Sequence, residues 1–138
     1  MVSGRLAAFH FFCTIISDKM EIKNDRYRIQ GVDLLEVVEE FGSPLYLYDA
    51  DKIGEQIESL RSAFPGLKMK IKYACKSLTN LSILKLVRAK GAELDTVSIQ
   101  EALLGLKAGY RSEEILFTPN CVSFNEIREA VELGVMIN

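Results

Sequence analysis

GAELDTVSIQEALLGLKAG, residues 91–109, carries one complete structural unit. Leu94 to Val97 is a short apolar run of strand type, interrupted by a single acid, Asp95. Ser98-Ile99-Gln100-Glu101 has the spacing of a capping box, in which the serine hydroxyl and the glutamate satisfy the free N–H groups of a helix start. Leu103 to Ala108 then reads as helix, and Gly109 supplies the left-handed residue that ends it.

The same plan extends in both directions. Downstream, Ile115-Leu116-Phe117 is a strand, Ser123-Phe124-Asn125-Glu126 a second capping box, Ile127 to Leu133 a helix, Gly134 its stop, and Val135-Met136-Ile137 a further strand. Upstream, Met69 to Lys76 reads as a strand, followed by a helix with Leu81, Leu84 and Val87 on its apolar stripe, capped from Ser77 or Thr79 and stopped at Gly91. Before it, Leu45-Tyr46-Leu47-Tyr48 reads as a strand with both tyrosines on one core-facing side, released by Ser43-Pro44. Asp51 is placed to cap the helix that bears Ile53, Ile57, Leu60 and Phe64 and stops at Pro65-Gly66. Nearest the N-terminus, Asp33 to Glu36 is another capping box, opening a helix over 34–41 that Gly42 ends.

Strand starts near 45, 69, 93, 115 and 135 lie about 20 to 24 residues apart, the length of one strand-turn-helix-turn unit. Such an order implies parallel strands with right-handed crossovers. Periodicity alone leaves two architectures open, an open doubly wound sheet and a closed (β/α)₈ barrel. A barrel needs eight such units in about 250 residues, so as a barrel the chain would reach only its midpoint.

Composition narrows the function classes. The chain is 138 residues long, 49% hydrophobic and 26% charged, with a net charge of −2. That balance offers no attraction to nucleic acid or to anionic membrane surfaces. Cys13, Cys75 and Cys121 are odd in number and far apart, and His10 is the single histidine, so neither a disulfide framework nor a zinc site is indicated and a cytoplasmic setting fits. The apolar run Leu6 to Ile16 is too short to span a bilayer as a helix; residues 1–19 read as a leader or mis-assigned start, with Met20 as the natural beginning. Residues 20–43 are then an N-terminal segment with a helix, and 44–138 the repeating unit.

Chemistry centres on Lys76, at the carboxyl end of its strand, where ligands gather in α/β folds. Cys75 alternates away from the lysine's face and reads as packing. An acid inside an apolar strand is costly to bury unpaired, which makes Lys76 the natural partner of Asp95. Glu101 reads as the acid of the Ser98 capping box.

SPLYLYD (43–49), YACK (73–76) followed by SLTN (77–80), GAELDTVS (91–98) and FTPNCV (117–122) occur in the order and spacing of the diaminopimelate decarboxylases. The chain resembles the N-terminal part of that family over Met20 to Asn138. The resemblance implies the alanine-racemase-like fold of the pyridoxal-phosphate-dependent decarboxylases: a pyridoxal-phosphate-binding (β/α)₈ barrel plus a β-domain, active as a homodimer. It implies that Lys76 holds pyridoxal 5'-phosphate as a Schiff base, with Asp95 and Glu101 beside it. By the same resemblance the chain is the N-terminal half of the barrel and lacks most of the C-terminal β-domain. The phosphate-binding glycines, the acidic partner of the pyridine nitrogen, the substrate-binding arginine and the cross-dimer cysteine would lie beyond residue 138, leaving the chain alone inactive. The implied reaction of the intact protein is decarboxylation of meso-diaminopimelate, a small amino acid, to L-lysine. Alternatives are an ornithine, arginine or carboxy-polyamine decarboxylase of the same fold, and a non-catalytic pyridoxal-phosphate-binding or regulatory homologue.

Overall fold

A computed structural model describes residues 20–138, in two compact units that meet between Lys52 and Ile53. The leader expected over residues 1–19 lies outside the described residues. None of the described helices is long and apolar enough to cross a membrane.

The first unit is built on a three-stranded antiparallel sheet of β1 (Met20–Lys23), β2 (Arg26–Ile29) and β3 (Val32–Asp33), followed by helix α1 (Leu34–Phe41). The two hairpins turn on Asn24-Asp25 and Gln30-Gly31, each pair with both φ values positive, the conformation that suits the right-handed twist of paired strands. Asp33 is buried and caps α1, accepting a hydrogen bond from the Leu35 N–H at 3.0 Å, and it pairs with Arg26 at 2.5 Å. Burial would raise this carboxyl, but the Leu35 N–H and the Arg26 guanidinium outweigh it and hold it below the ordinary carboxylate range. Gly42 ends the helix at φ 85°, its N–H returning to the Val38 carbonyl.

Residues 45–48 do not form the strand that their composition suggests. They alternate between half-buried Leu45 and Leu47 and exposed Tyr46 and Tyr48, but pair with no neighbour among the described residues. β-propensity makes a segment extended; only a ladder makes it a strand. The tyrosines expected in the core are therefore on the surface. Helix α2 (Ala50–Ser62) follows, and the Lys52 N–H at its start is capped by Asp49 rather than Asp51.

The second unit is a parallel sheet in sequential order: β4 (Lys72–Ala74), β5 (Glu93–Thr96), β6 (Ile115–Phe117) and β7 (Met136–Ile137). Helices α3 (Leu81–Ala89), α4 (Ile99–Ala108) and α5 (Phe124–Glu132) connect consecutive strands. Asn80, rather than Ser77 or Thr79, caps α3, accepting from the Ser82 and Ile83 N–H groups. Ser98 caps α4, and Ser123 and Glu126 form the reciprocal box at α5.

The two faces of this sheet differ. Leu94, Thr96, Ile115 and Phe117 are fully buried on one face against Leu84, Ala102, Ala108 and Ala130 from the helices. Each large apolar side chain so buried contributes roughly 1.5–3 kcal/mol. The alternate residues, Lys72, Ala74, Glu93, Asp95 and Leu116, are only half-buried. A doubly wound sheet carries helices on both faces and reverses its strand order at a switch point. Sequential strands with helices on one face are instead the arrangement of consecutive units in a (β/α)₈ barrel, whose other face lines the interior. Gly105 lets α4 lie close to this sheet: a Cβ there would sit 2.6 Å from Leu94 Cδ2.

Candidate active site

Lys76 does not end a strand. β4 stops at Ala74, and Cys75–Ser77 form a single 3₁₀ turn that carries the lysine. Three hydrogen bonds hold the turn. The Leu78 N–H donates to the Cys75 carbonyl at 3.1 Å, the Ser77 hydroxyl to the Ala74 carbonyl at 2.5 Å, and the Tyr73 hydroxyl to the Leu78 carbonyl at 3.2 Å. Cys75 anchors it, with its side chain fully inside the core. Burial, and then the charge of Glu101, push the Cys75 thiol up to about 11, so it is a packing residue and no nucleophile at neutral pH.

Lys76 itself is exposed and makes no hydrogen bond or ion pair among the described residues. The two lysines before it are committed elsewhere. Lys70 and Lys72 reach the two oxygens of Glu93, at 2.7 Å and 2.6 Å. Burial would raise the Glu93 carboxyl, but these two hydrogen bonds and charges hold it below the ordinary carboxylate range. At the end of the sheet where the strands finish, Lys76 is thus an amine with its donors free.

Asp95 stands next to Ala74 across the β4–β5 ladder, two residues before Lys76 in the chain. Its partner is not Lys76. Asp95 Oδ1 accepts a hydrogen bond from the Thr118 hydroxyl at 2.7 Å, from the residue that follows the strand on its other side. Parallel pairing decides this, since Thr118 follows β6 on the same face as Asp95, while Lys76 has already turned out of β4. Thr118 escaped the sequence reading, although period-two alternation from Leu116 places it on that face. Glu101 forms half of the capping box expected of it: Ser98 caps its N–H at 3.2 Å, but its carboxylate accepts from the Val97 N–H at 2.9 Å instead of the Ser98 N–H. Its charge is felt at Cys75, in the turn of Lys76. Among the described residues the candidate site thus offers one free amine and two carboxylates, the carboxylates each fixed by a group on the loops that follow β5 and β6.

Residues 50–138 match the family model described as the pyridoxal-dependent decarboxylase, pyridoxal binding domain. The chain belongs to this family. Among its curated relatives, the diaminopimelate decarboxylase of Methanothermobacter thermautotrophicus is 38% identical over 112 residues, which are 80% of this chain and 26% of that protein. The diaminopimelate decarboxylase of Streptomyces coelicolor is 40% identical over 114 residues, 80% of this chain and 25% of that protein. The chain thus spans about a quarter of the length of these curated relatives. Among solved structures, diaminopimelate decarboxylase from M. jannaschii in co-complex with L-lysine superposes with a TM-score of 0.76 at 31% identity, over 88% of this chain and 30% of that one.

The family settles which architecture the parallel sheet belongs to: this chain has the α/β fold of part of a TIM-type barrel. Decarboxylases of this family use pyridoxal phosphate. The residues present fit such a group, because an aldehyde cofactor requires an uncommitted primary amine and Lys76 meets that condition.

Proposed function

We propose that the protein carrying this chain decarboxylates meso-diaminopimelate to L-lysine and carbon dioxide, using pyridoxal phosphate held on Lys76, with residues 44–138 as the first half of the barrel. The observation that carries this reading is the contrast among three lysines: Glu93 holds Lys70 and Lys72, while Lys76 keeps an exposed, unpaired amine at the site end of the sheet. The substrate is supported by the names of the relatives and by the L-lysine bound to the M. jannaschii enzyme.

When bound, pyridoxal phosphate supplies the electron sink for the charge left by the departing carboxylate. Lys76 would hold that group through its amine, and its Nζ would be placed to hold and return a proton at the carbon that loses carbon dioxide. The 3₁₀ turn fixes where Nζ starts from, through the buried Cys75 and the hydrogen bonds of Ser77 and Tyr73. Asp95 and Glu101 place two fixed negative charges around that turn, one anchored by Thr118 and the other by the Val97 N–H. The same reading makes the complete protein a homodimer acting in the cytoplasm on a small amino acid.

Borohydride reduction of the complete protein with its cofactor tests the assignment. The cofactor is expected on the peptide containing Tyr73 to Asn80. Lys76→Ala removes the label, and Lys76→Arg does so equally, since a guanidinium stays protonated and forms no imine. Lys70→Ala and Lys72→Ala keep it. A reduced cofactor on either of those lysines, or none in a protein that still decarboxylates, overturns the reading.

A further inference from the structure

We propose that Thr118 is a positioning residue of the cofactor site, its hydroxyl holding the Asp95 carboxylate in one orientation beside the Lys76 turn; this rests on the reading of Lys76 given above.

Asp95 lies between Ala74 of β4 and Leu116 of β6, on the sheet face that the helices leave uncovered. An aspartate there has two soft torsions and, among the described residues, one hydrogen bond, from Thr118 Oγ1 to Oδ1 at 2.7 Å. That bond selects one rotamer and leaves Oδ2 unengaged on the face that carries the site. The donor is rigid for three separate reasons. The Thr118 N–H extends the parallel ladder, donating to the Thr96 carbonyl at 2.8 Å. Pro119 follows it, and a residue before proline is confined to extended backbone. Threonine is β-branched, which restricts its own χ1. Asp95 therefore receives its orientation from the residue that follows the neighbouring strand and not from its own strand.

The bond does little for the fold as such. Both residues are only half-buried, so water can satisfy either group once the other is removed. Its consequence is geometric: a carboxylate that must stand at a set place beside a bound cofactor is held before the cofactor arrives. Preorganisation of this kind lowers the cost of binding, so its loss is read first in cofactor retention.

The experiment uses the complete protein as wild type, Thr118→Val, Thr118→Ser, Asp95→Ala and the Asp95→Ala, Thr118→Val double variant. The readouts are the equilibrium dissociation constant for pyridoxal phosphate, measured by dialysis, and the thermal midpoint of each apoprotein. Thr118→Val, which keeps the shape and removes the hydroxyl, is expected to weaken cofactor binding about tenfold, the effect of one hydrogen bond to a charged group. Thr118→Ser is expected to stay within about twofold of wild type because the donor is retained. In the Asp95→Ala background, where the hydroxyl has no carboxylate to hold, Thr118→Val should add no further weakening, as two residues acting through one contact are not additive. The apoprotein midpoints should stay together, which a merely structural role would not produce. Equal binding by wild type and Thr118→Val, equal impairment of the valine and serine variants, or additive losses in the double variant overturns the proposal. Borohydride mapping on wild type separates this from the parent reading: a label on the Tyr73–Asn80 peptide with an inert Thr118→Val sinks only the Thr118 assignment, whereas a label elsewhere sinks the assignment of Lys76.

Discussion

Alanine placed at two helical glycines should move stability in opposite directions. At Gly105 in α4, a Cβ would stand 2.6 Å from Leu94 Cδ2 and 3.1 Å from Ile115 Cδ1. Both neighbours are completely buried, so neither can turn out of the way without disturbing the sheet. Overpacking of this type costs about 1–3 kcal/mol. Alanine's better helix propensity returns about 1 kcal/mol. The packing cost wins, and Gly105→Ala should destabilise by about 1 kcal/mol. At Gly54 in α2 the new Cβ meets only the side chain of Lys90, with Cε at 2.8 Å. Lys90 is exposed and its end can swing into solvent, so the helix propensity decides and Gly54→Ala should stabilise by up to about 1 kcal/mol. Urea unfolding of the complete protein, with midpoints compared at unchanged m-value, measures the difference. A Gly105→Ala variant whose midpoint rises as far as that of Gly54→Ala would refute the close approach of α4 to β5 and β6.

Cys75 should resist iodoacetamide in the native protein near neutral pH and react only after denaturation, because burial excludes the reagent and pushes the thiol up to about 11; peptide mass spectrometry reads this, and rapid native labelling would contradict the anchored turn. Glu93 should contribute to acid stability. Its folded-state carboxyl lies below the ordinary value of 4.5, so its contribution is fully present above that value and is lost as pH falls through the lowered one. Glu93→Gln should therefore flatten the acid limb of a stability–pH profile as pH falls below 4.5, and an unchanged limb would show that Lys70 and Lys72 do not act on it.

The helices were legible because their signals are local. Asp33, Ser98 and Ser123 each cap a helix start, and Gly42, Gly109 and Gly134 follow the ends with positive φ, as spacing alone suggested. The antiparallel sheet of β1 to β3 was also within reach. Asn24-Asp25 and Gln30-Gly31 are two-residue hairpin turns between alternating strands, a signal that went unread beside the stronger helix that follows.

YACK (73–76) and its surroundings put Lys76 forward as the candidate site lysine, and the parallel pairing of strands β4 to β7 followed from the repeat of strand, cap, helix and glycine. The tertiary structure decided what depends on neighbours. It left residues 45–48 extended but unpaired, ended β4 at Ala74, and placed Lys76 in a 3₁₀ turn. It also gave Asp95 to Thr118 and gave Lys70 and Lys72 to Glu93, leaving Lys76 free. Caps, stops and alternation are set by residues within a turn of one another and can be read along the chain. Ladder partners and cross-strand hydrogen bonds join residues some twenty positions apart, and only the register of one strand against the next determines them.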